Sequence, residues 1–289
     1  MLIPALAAGG VPSTPGPRAQ RIGRAAIAAL YDELALAPKP GLVSFEDSGS
    51  HTDMDATHFM RSLFALRHYF VRIAMLGAAQ VPFAELEAAG VAAEARMLRA
   101  TGGVNTHRGA VFSLGLLCAA AGLEGGSSAP LTPTHLRELL TAVWGDALRA
   151  RCRRTGSSNG QRVARAFRLR GVGEEAALGF PVVFECAAPA LARARGWGLD
   201  DQRARLQTLF EVIAVLDDTN LAHRGGMAGL RFAQAQARAF LNAGGARRPD
   251  AVEHARTIHR AFMRRRLSPG GAADVLAAAC WLERVCAAP

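Results

Sequence analysis

The segment "LDDTNLAHRGG", Leu216 to Gly226, sets two carboxylates, an Asn, a His, an Arg and two glycines directly after the apolar run "LFEVIAVL". Burying an unpaired polar group beside a core costs roughly 2–7 kcal/mol, and an unpaired charge more. These residues therefore either satisfy one another or hold a ligand. An echo lies upstream: "VNTHRGAVFSLG" at Val104 to Gly115 and "TNLAHRGGMAGL" at Thr219 to Leu230 both run Asn, His-Arg-Gly, then an apolar helix, with one extra residue in the second. A third Gly-rich helix start, "LSPGGAADVLA", begins at Leu267. A glycine turn leading into a helix exposes backbone N–H groups at the positive end of the helix dipole, and a nearby Arg adds a full charge. Asn105, Arg108, Asn220, His223, Arg224, Gly225, Gly226, Gly270 and Gly271 are accordingly phosphate-binding candidates. Glycines that only cap helices or let them pack closely are the alternative.

A second group is acidic: Glu46, Asp47, His51, Asp53 and Asp55 in one polar loop, then Asp217 and Asp218. Magnesium takes one or two carboxylates together with waters and substrate phosphates. In a phosphate-friendly setting Asp53, Asp55, Asp217 and Asp218 are thus the expected Mg2+ ligands, unless Asp55 merely caps a helix and Asp217 merely pairs with an arginine. The histidines have no Cys or His partner at zinc-ligand spacing. No G-x-S-x-G, no Walker A loop and no dinucleotide-binding G-x-G-x-x-G after a strand is present.

The scaffold that must position these groups reads as helical. The chain has 289 residues, half of them hydrophobic, and is rich in Ala, Leu and Arg, a composition that favours helix over strand. The expectation is an all-α protein: a flexible N-terminal arm over residues 1–18, then one compact multi-helix domain over 19–289. Helical spacing runs from Arg21 to Ala37, where "PKPG" stops it, and resumes after Asp55, a credible N-cap for apolar Phe59, Leu63, Leu66, Phe70 and Ile73. Further helices are expected near 83–100, 109–123, 133–150, 160–169, 174–195, 201–217, 226–242, 250–265 and 271–286, with "EGGSSAP" and "RCRRTGSSNG" as the clearest flexible connections.

Five scattered cysteines, Cys118, Cys152, Cys186, Cys280 and Cys286, never form C-x-x-C, which argues against a disulfide framework. The N-terminus lacks the basic lead of a secretory signal. The longest uncharged apolar stretch, Gly109 to Leu123, suits a core helix better than a membrane span. A cytoplasmic protein with no membrane partner is the expectation. The formal net charge of +10, mostly arginine, points to a polyanionic partner such as a nucleotide or coenzyme.

Five stretches, "PKPGLVSFEDSGSHTDMD", "TGGVNTHRGAVFSLGLLCAAAG", "GEEAALGFPVV", "LDDTNLAHRGG" and "RRLSPGGAADVLA", occur in the order and approximate spacing of the triphosphoribosyl-dephospho-coenzyme A synthase family, and the resemblance covers about Ala37 to Leu282. It implies an all-helical enzyme that joins C1′ of the ATP ribose to the 2′-hydroxyl of 3′-dephospho-coenzyme A, with release of adenine. The product is the prosthetic-group precursor of citrate lyase or malonate decarboxylase, handed on to an acyl carrier protein by its transferase. The resemblance adds Lys39, Gly102, Gly103, Thr106, Glu175, Thr219 and Ser268 to the substrate-binding candidates, and leaves Asp218, His107 and His51 as candidates for acid or base. An oxocarbenium-like transition state is expected, as in glycoside hydrolysis.

Two departures stand out. Ser44 follows "GLV" where citrate-type members usually carry Asp, a form more like the malonate decarboxylase branch, and Gly173 stands where they carry Arg, a role for Arg168 or Arg170 to supply. Citrate-type members often read "GDTN" at the opening motif, which makes Asp217 a less secure ligand than Asp218. Two rivals remain: an all-α, Mg2+-dependent ADP-ribosyl hydrolase-like enzyme, and a non-catalytic basic binding module. A nucleic acid is not expected, because the basic residues lack interleaved aromatics and sit beside carboxylates. Self-association as a homo-oligomer is left open.

Overall fold

The computed structural model describes residues 14–124, 131–154 and 158–286, and no strand occurs among them. The order is α1 (Pro17–Ala35), α2 (Ala56–Ala78), α3 (Phe83–Ala100), α4 (Arg108–Leu123), α5 (Pro133–Cys152), α6 (Asn159–Phe167), α7 (Val172–Ala177), a π-helical turn (Val182–Ala187), α8 (Ala188–Gly196), α9 (Asp201–Val215), α10 (Thr219–Asn242), a short 3-10 turn (Gly245–Arg247), α11 (Ala251–Arg264) and α12 (Gly270–Val285). The all-α expectation holds. Of the expected arm, residues 1–13 lie outside the described residues, and its last two, Pro17 and Arg18, belong to α1. Parts of both expected flexible connections, 125–130 and 155–157, also lie outside.

Helix α4 carries apolar residues all round its circumference, a pattern that belongs in a core. It packs against α1, α2, α3, α5 and α12, with Ala110, Leu114, Leu117 and Ala121 fully buried. Cutting either leucine to Ala would cost about 2–5 kcal/mol. Small residues set its distance from α2: a Cβ at Gly77 would stand 1.9 Å from the Ala119 carbonyl oxygen, and one at Gly122 2.0 Å from that of Ala74. The large buried side chains keep their polar atoms paired. Trp281 Nε1 donates to the Ile22 carbonyl at 3.2 Å, and Trp144 Nε1 to that of Val81 at 3.1 Å. Among the described residues no helix is long and apolar enough to cross a membrane.

Two expected helices are corrected. The stretch 174–195 is not one helix: α7 ends at Ala177, and Gly179 (φ 74°) and Phe180 (φ 51°) turn left-handed before Pro181. The Val182 amide donates to Glu175 Oε2 at 3.1 Å and ties the new start to the old helix. The helix expected at 226–242 is preceded by helical backbone from Thr219, and Gly226 (φ 61°, ψ −166°) kinks the two pieces apart. Consequently the His-Arg pair is not repeated structurally. His107 and Arg108 stand at the very start of α4, whereas His223 and Arg224 lie more than a turn inside α10.

Candidate active site

One large cleft, about 1020 Å³, is lined by segments from all five motifs and, outside them, by residues of α1, α2, α3 and the α5–α6 junction. At its floor the N-termini of α4, α10 and α12 come together, and two carboxylates bind them. Asp218 is 2% exposed; its Oδ1 accepts the amides of Asn220 (2.8 Å) and Leu221 (3.2 Å), and its Oδ2 accepts that of Ala272 (3.0 Å). The Gly271 amide also supports the ionised form. A carboxylate offers about four lone-pair sites, so these backbone donors nearly fill it. Burial still dominates and pushes the Asp218 pKa up to about 6. Gly271 is needed for this approach, since a Cβ there would lie 3.1 Å from the Asp218 Cγ; its backbone is not among those with positive φ.

The second floor carboxylate, Asp274, was not singled out in the sequence. It lies in the first turns of α12, half-buried in the cleft wall, with the Ala110 amide of α4 as a donor. Burial, then the like charges of Glu33 and Asp218, hold its proton affinity well above the usual carboxylate range. Gly109 makes room for it: a Cβ there would meet Asp274 Oδ2 at 1.9 Å. The only local signal is one acid within the otherwise apolar "GGAADVLAAAC". Glu33, also missed, lines the same floor and is paired with buried Lys39, whose ammonium also donates to the Glu33 carbonyl at 2.6 Å. Burial lowers the Lys39 pKa against the opposing pull of Glu33.

His107, 3% exposed, faces the cleft next to this floor. Its Nδ1 lies 2.7 Å from Ser62 Oγ and its ring meets Phe59 edge-on, but Nε2 has no partner, nor does the buried Thr106 Oγ1. Burial, with Lys39 second, lowers the His107 pKa to about 3, so the ring is neutral. Buried polar atoms without partners are rare, and two adjacent ones facing a cleft mark a place where a ligand can supply them.

Arginines rim the cleft. Arg151 Nε and Arg154 share Glu87 at 2.8 and 3.1 Å, Arg108 pairs with Glu94, and Arg170 pairs with the buried Glu175, whose pKa burial raises. Exposed Arg153 lines the same wall. The other expected residues divide. Asn105, Thr219, Asn220, His223, Ser268, Gly270, Asp53 and Asp217 line the cleft; Lys39, Gly102, Gly103, Gly225, Gly226 and Asp55 do not. Gly102 (φ 66°) and Gly103 (φ 92°) make the turn after α3, and a Cβ on Gly225 would meet the Leu267 side chain at 2.6 Å. Asn105 Oδ1 accepts the Arg108 amide at 3.1 Å. Arg224, exposed at the mouth, directs its fork into the protein: NH1 donates to the carbonyls of Ser50 (3.0 Å) and Arg266 (3.1 Å), and NH2 meets His51 Nδ1 at 2.9 Å. His51 in turn bonds Ser268 Oγ at 2.9 Å, and burial followed by Arg224 lowers its pKa.

The four aspartates expected to share a metal do not form one cage. Asp55 caps α2 through the His58 amide at 3.1 Å, Asp217 accepts the Arg170 amide at 3.1 Å, Asp53 stands 3.4 Å from His51, and Asp218 is filled as described. Among the described residues no group of three or more His, Cys, Asp or Glu is arranged to hold a metal ion.

Residues 19–288 match the family described as ATP:dephospho-CoA triphosphoribosyl transferase. A curated relative from Acinetobacter calcoaceticus, named a probable 2-(5''-triphosphoribosyl)-3'-dephosphocoenzyme-A synthase, is 36% identical over 267 residues, which cover 92% of this chain and 91% of the relative. No solved structure matches the chain.

Proposed function

Since the chain belongs to the ATP:dephospho-CoA triphosphoribosyl transferase family, we propose that the cleft holds both substrates at once and is the place where the 5-triphosphoribosyl group of ATP passes to the 2′-hydroxyl of 3′-dephospho-CoA. The observation that carries this reading is the polarity of that single space. Its rim offers Arg151, Arg153, Arg154 and Arg170, while its floor carries Glu33, Asp218 and Asp274. Arginine forks suit a triphosphate and a pyrophosphate. A carboxylate floor suits the positive charge that develops on a ribosyl carbon as adenine departs. At about 1020 Å³ the cleft sits at the upper end of the range for ligand sites, as two nucleotides require.

Magnesium enters this reading as the ion carried by the ATP triphosphate, because Mg2+ keeps several waters and binds through substrate phosphates with few protein ligands. In this reading exposed Asp53, which lines the cleft, offers that ion one carboxylate. The missing Arg at Gly173 is made good by its neighbours: Arg170 lines the cleft, and a Cβ at Gly173 would lie 3.7 Å from Arg151 NH1. Arg168, the other candidate, ends α6 and does not line the cleft.

The malonate decarboxylase branch is favoured by the "DSGSHTDMDA" form of the first motif. Ser44 Oγ accepts the Glu46 amide at 3.1 Å, a turn bond that Asp makes equally well, so the branch preference rests on the residues and not on altered geometry. The product then passes to an acyl carrier protein through its transferase. Replacing dephospho-CoA by its 2′-deoxy analogue tests the acceptor: adduct formation is expected to vanish, and adduct formed from the analogue would refute the 2′-linkage. Offering the product to each carrier protein with its own transferase tests the branch, and loading of a citrate lyase carrier alone would overturn it.

A further inference from the structure

We propose that Asp274 is the catalytic carboxylate of the cleft, the group that takes the proton of the incoming 2′-hydroxyl while its charge faces the ribosyl carbon. The inference rests on the transfer reaction proposed above and assigns a residue within it. Glu87, Glu94 and Glu175 are paired with arginines, Glu33 with Lys39, and Asp217 holds the Arg170 amide. Asp218 is nearly filled by the backbone of two helices. Asp53 and Glu174 are exposed at the mouth, where water competes for any proton. Asp274 alone combines a half-buried place in the wall, a single backbone donor and, among the described residues, no ion-pair partner.

A second, independent observation points to a ligand beside it. His107 precedes Gly109 and Ala110, the two residues against which the Asp274 carboxylate rests, and its Nε2 is buried with no partner, as is Thr106 Oγ1. Substrate hydroxyl or purine nitrogen atoms in that space would satisfy both. His107, neutral because it is buried, is a poor base but a good fixed dipole. Asp274, held between Glu33 from α1, Asp218 from the α10 start and the α4 amide, is a stronger base than an ordinary carboxylate. The step balances: the C1′–N9 bond of ATP breaks with its electron pair on adenine, the 2′-oxygen forms the new bond to C1′, its proton moves to Asp274, and that proton leaves to the departing adenine or to water.

Asp274→Asn keeps an acceptor for the Ala110 amide but cannot take a proton. Adduct formation should fall by about 10²–10⁴-fold, the range for a positioned general base, while calorimetric affinities for ATP and dephospho-CoA stay within twofold. As a second variant, Asp274→Ala with added formate should recover activity at least tenfold over the same variant without it. Normal turnover in Asp274→Asn overturns the assignment, as does a turnover loss matched by equal losses of affinity or melting temperature, or an absence of formate rescue in folded Asp274→Ala. If the unaltered chain itself forms no adduct, the transfer reading fails instead, so the two failures are told apart.

Discussion

Asp218 shows how one residue carries opposing demands. Four backbone donors from two helices favour its charge, and burial opposes it more strongly, so its pKa rises from 3.8 to about 6. A raised carboxylate pKa means the folded protein binds the proton more tightly than the unfolded chain, so this stabilisation is present below pH 4 and is lost as pH rises to about 6. Relative to Asp218→Asn, the unaltered protein should lose about 3 kcal/mol across that window, measurable by denaturant unfolding at stepped pH. A flat difference would show that Asp218 is already ionised throughout. Arg224 is a contrasting case. Its residue type and place in "HRGG" predicted a phosphate ligand, but its fork ties α10 to the carbonyls of Ser50 and Arg266 and to His51. Arg224→Ala should therefore cost about 1 kcal/mol of stability, the mean for a net hydrogen bond at an exposed site, and leave ATP affinity within about twofold. A tenfold loss of affinity with unchanged melting would restore the phosphate role.

At the level of elements, glycines do two different jobs in neighbouring helices. Gly77 faces the Ala119 carbonyl, backbone against backbone, where nothing yields cheaply, so Gly77→Ala should destabilise by about 1–3 kcal/mol. Gly109 faces only the end of the Asp274 side chain. Gly109→Ala should leave melting nearly unchanged, because Ala favours helix, yet displace that carboxylate and lower turnover at least tenfold, as small misplacements at a reacting centre do. Equal effects on stability and turnover at both positions would remove the distinction. The helices themselves were legible from spacing because α2, α4 and α12 keep long apolar faces. The break at Gly179 and Phe180 was not, since the left-handed turn is bridged by Glu175 accepting the Val182 amide beyond it, a contact with no local sequence signal. The same blindness hid Asp274 and Glu33. Each sits inside an apolar helical stretch, and only the meeting of α1, α4 and α12 turns them towards a common floor.

For the whole molecule, the net charge of +10 was legible as a polyanion preference, and the cleft localises it: arginines from α5, α6 and the segment before α7 ring a floor of carboxylates. Motif order along the chain identified the family before any geometry was known, while the division between phosphate rim and carboxylate floor needed the fold. Glycine-rich helix starts were expected to hold phosphates, but those of α10 and α12 hold Asp218 instead. The central claim is that this one space joins the two substrates. Its most direct test is to incubate the full chain with ATP, Mg2+ and 3′-dephospho-CoA and to quantify adenine and the triphosphoribosyl adduct by mass analysis. The account predicts equal amounts of both, each requiring dephospho-CoA. Adenine released equally well without dephospho-CoA, or neither product at all, would contradict it.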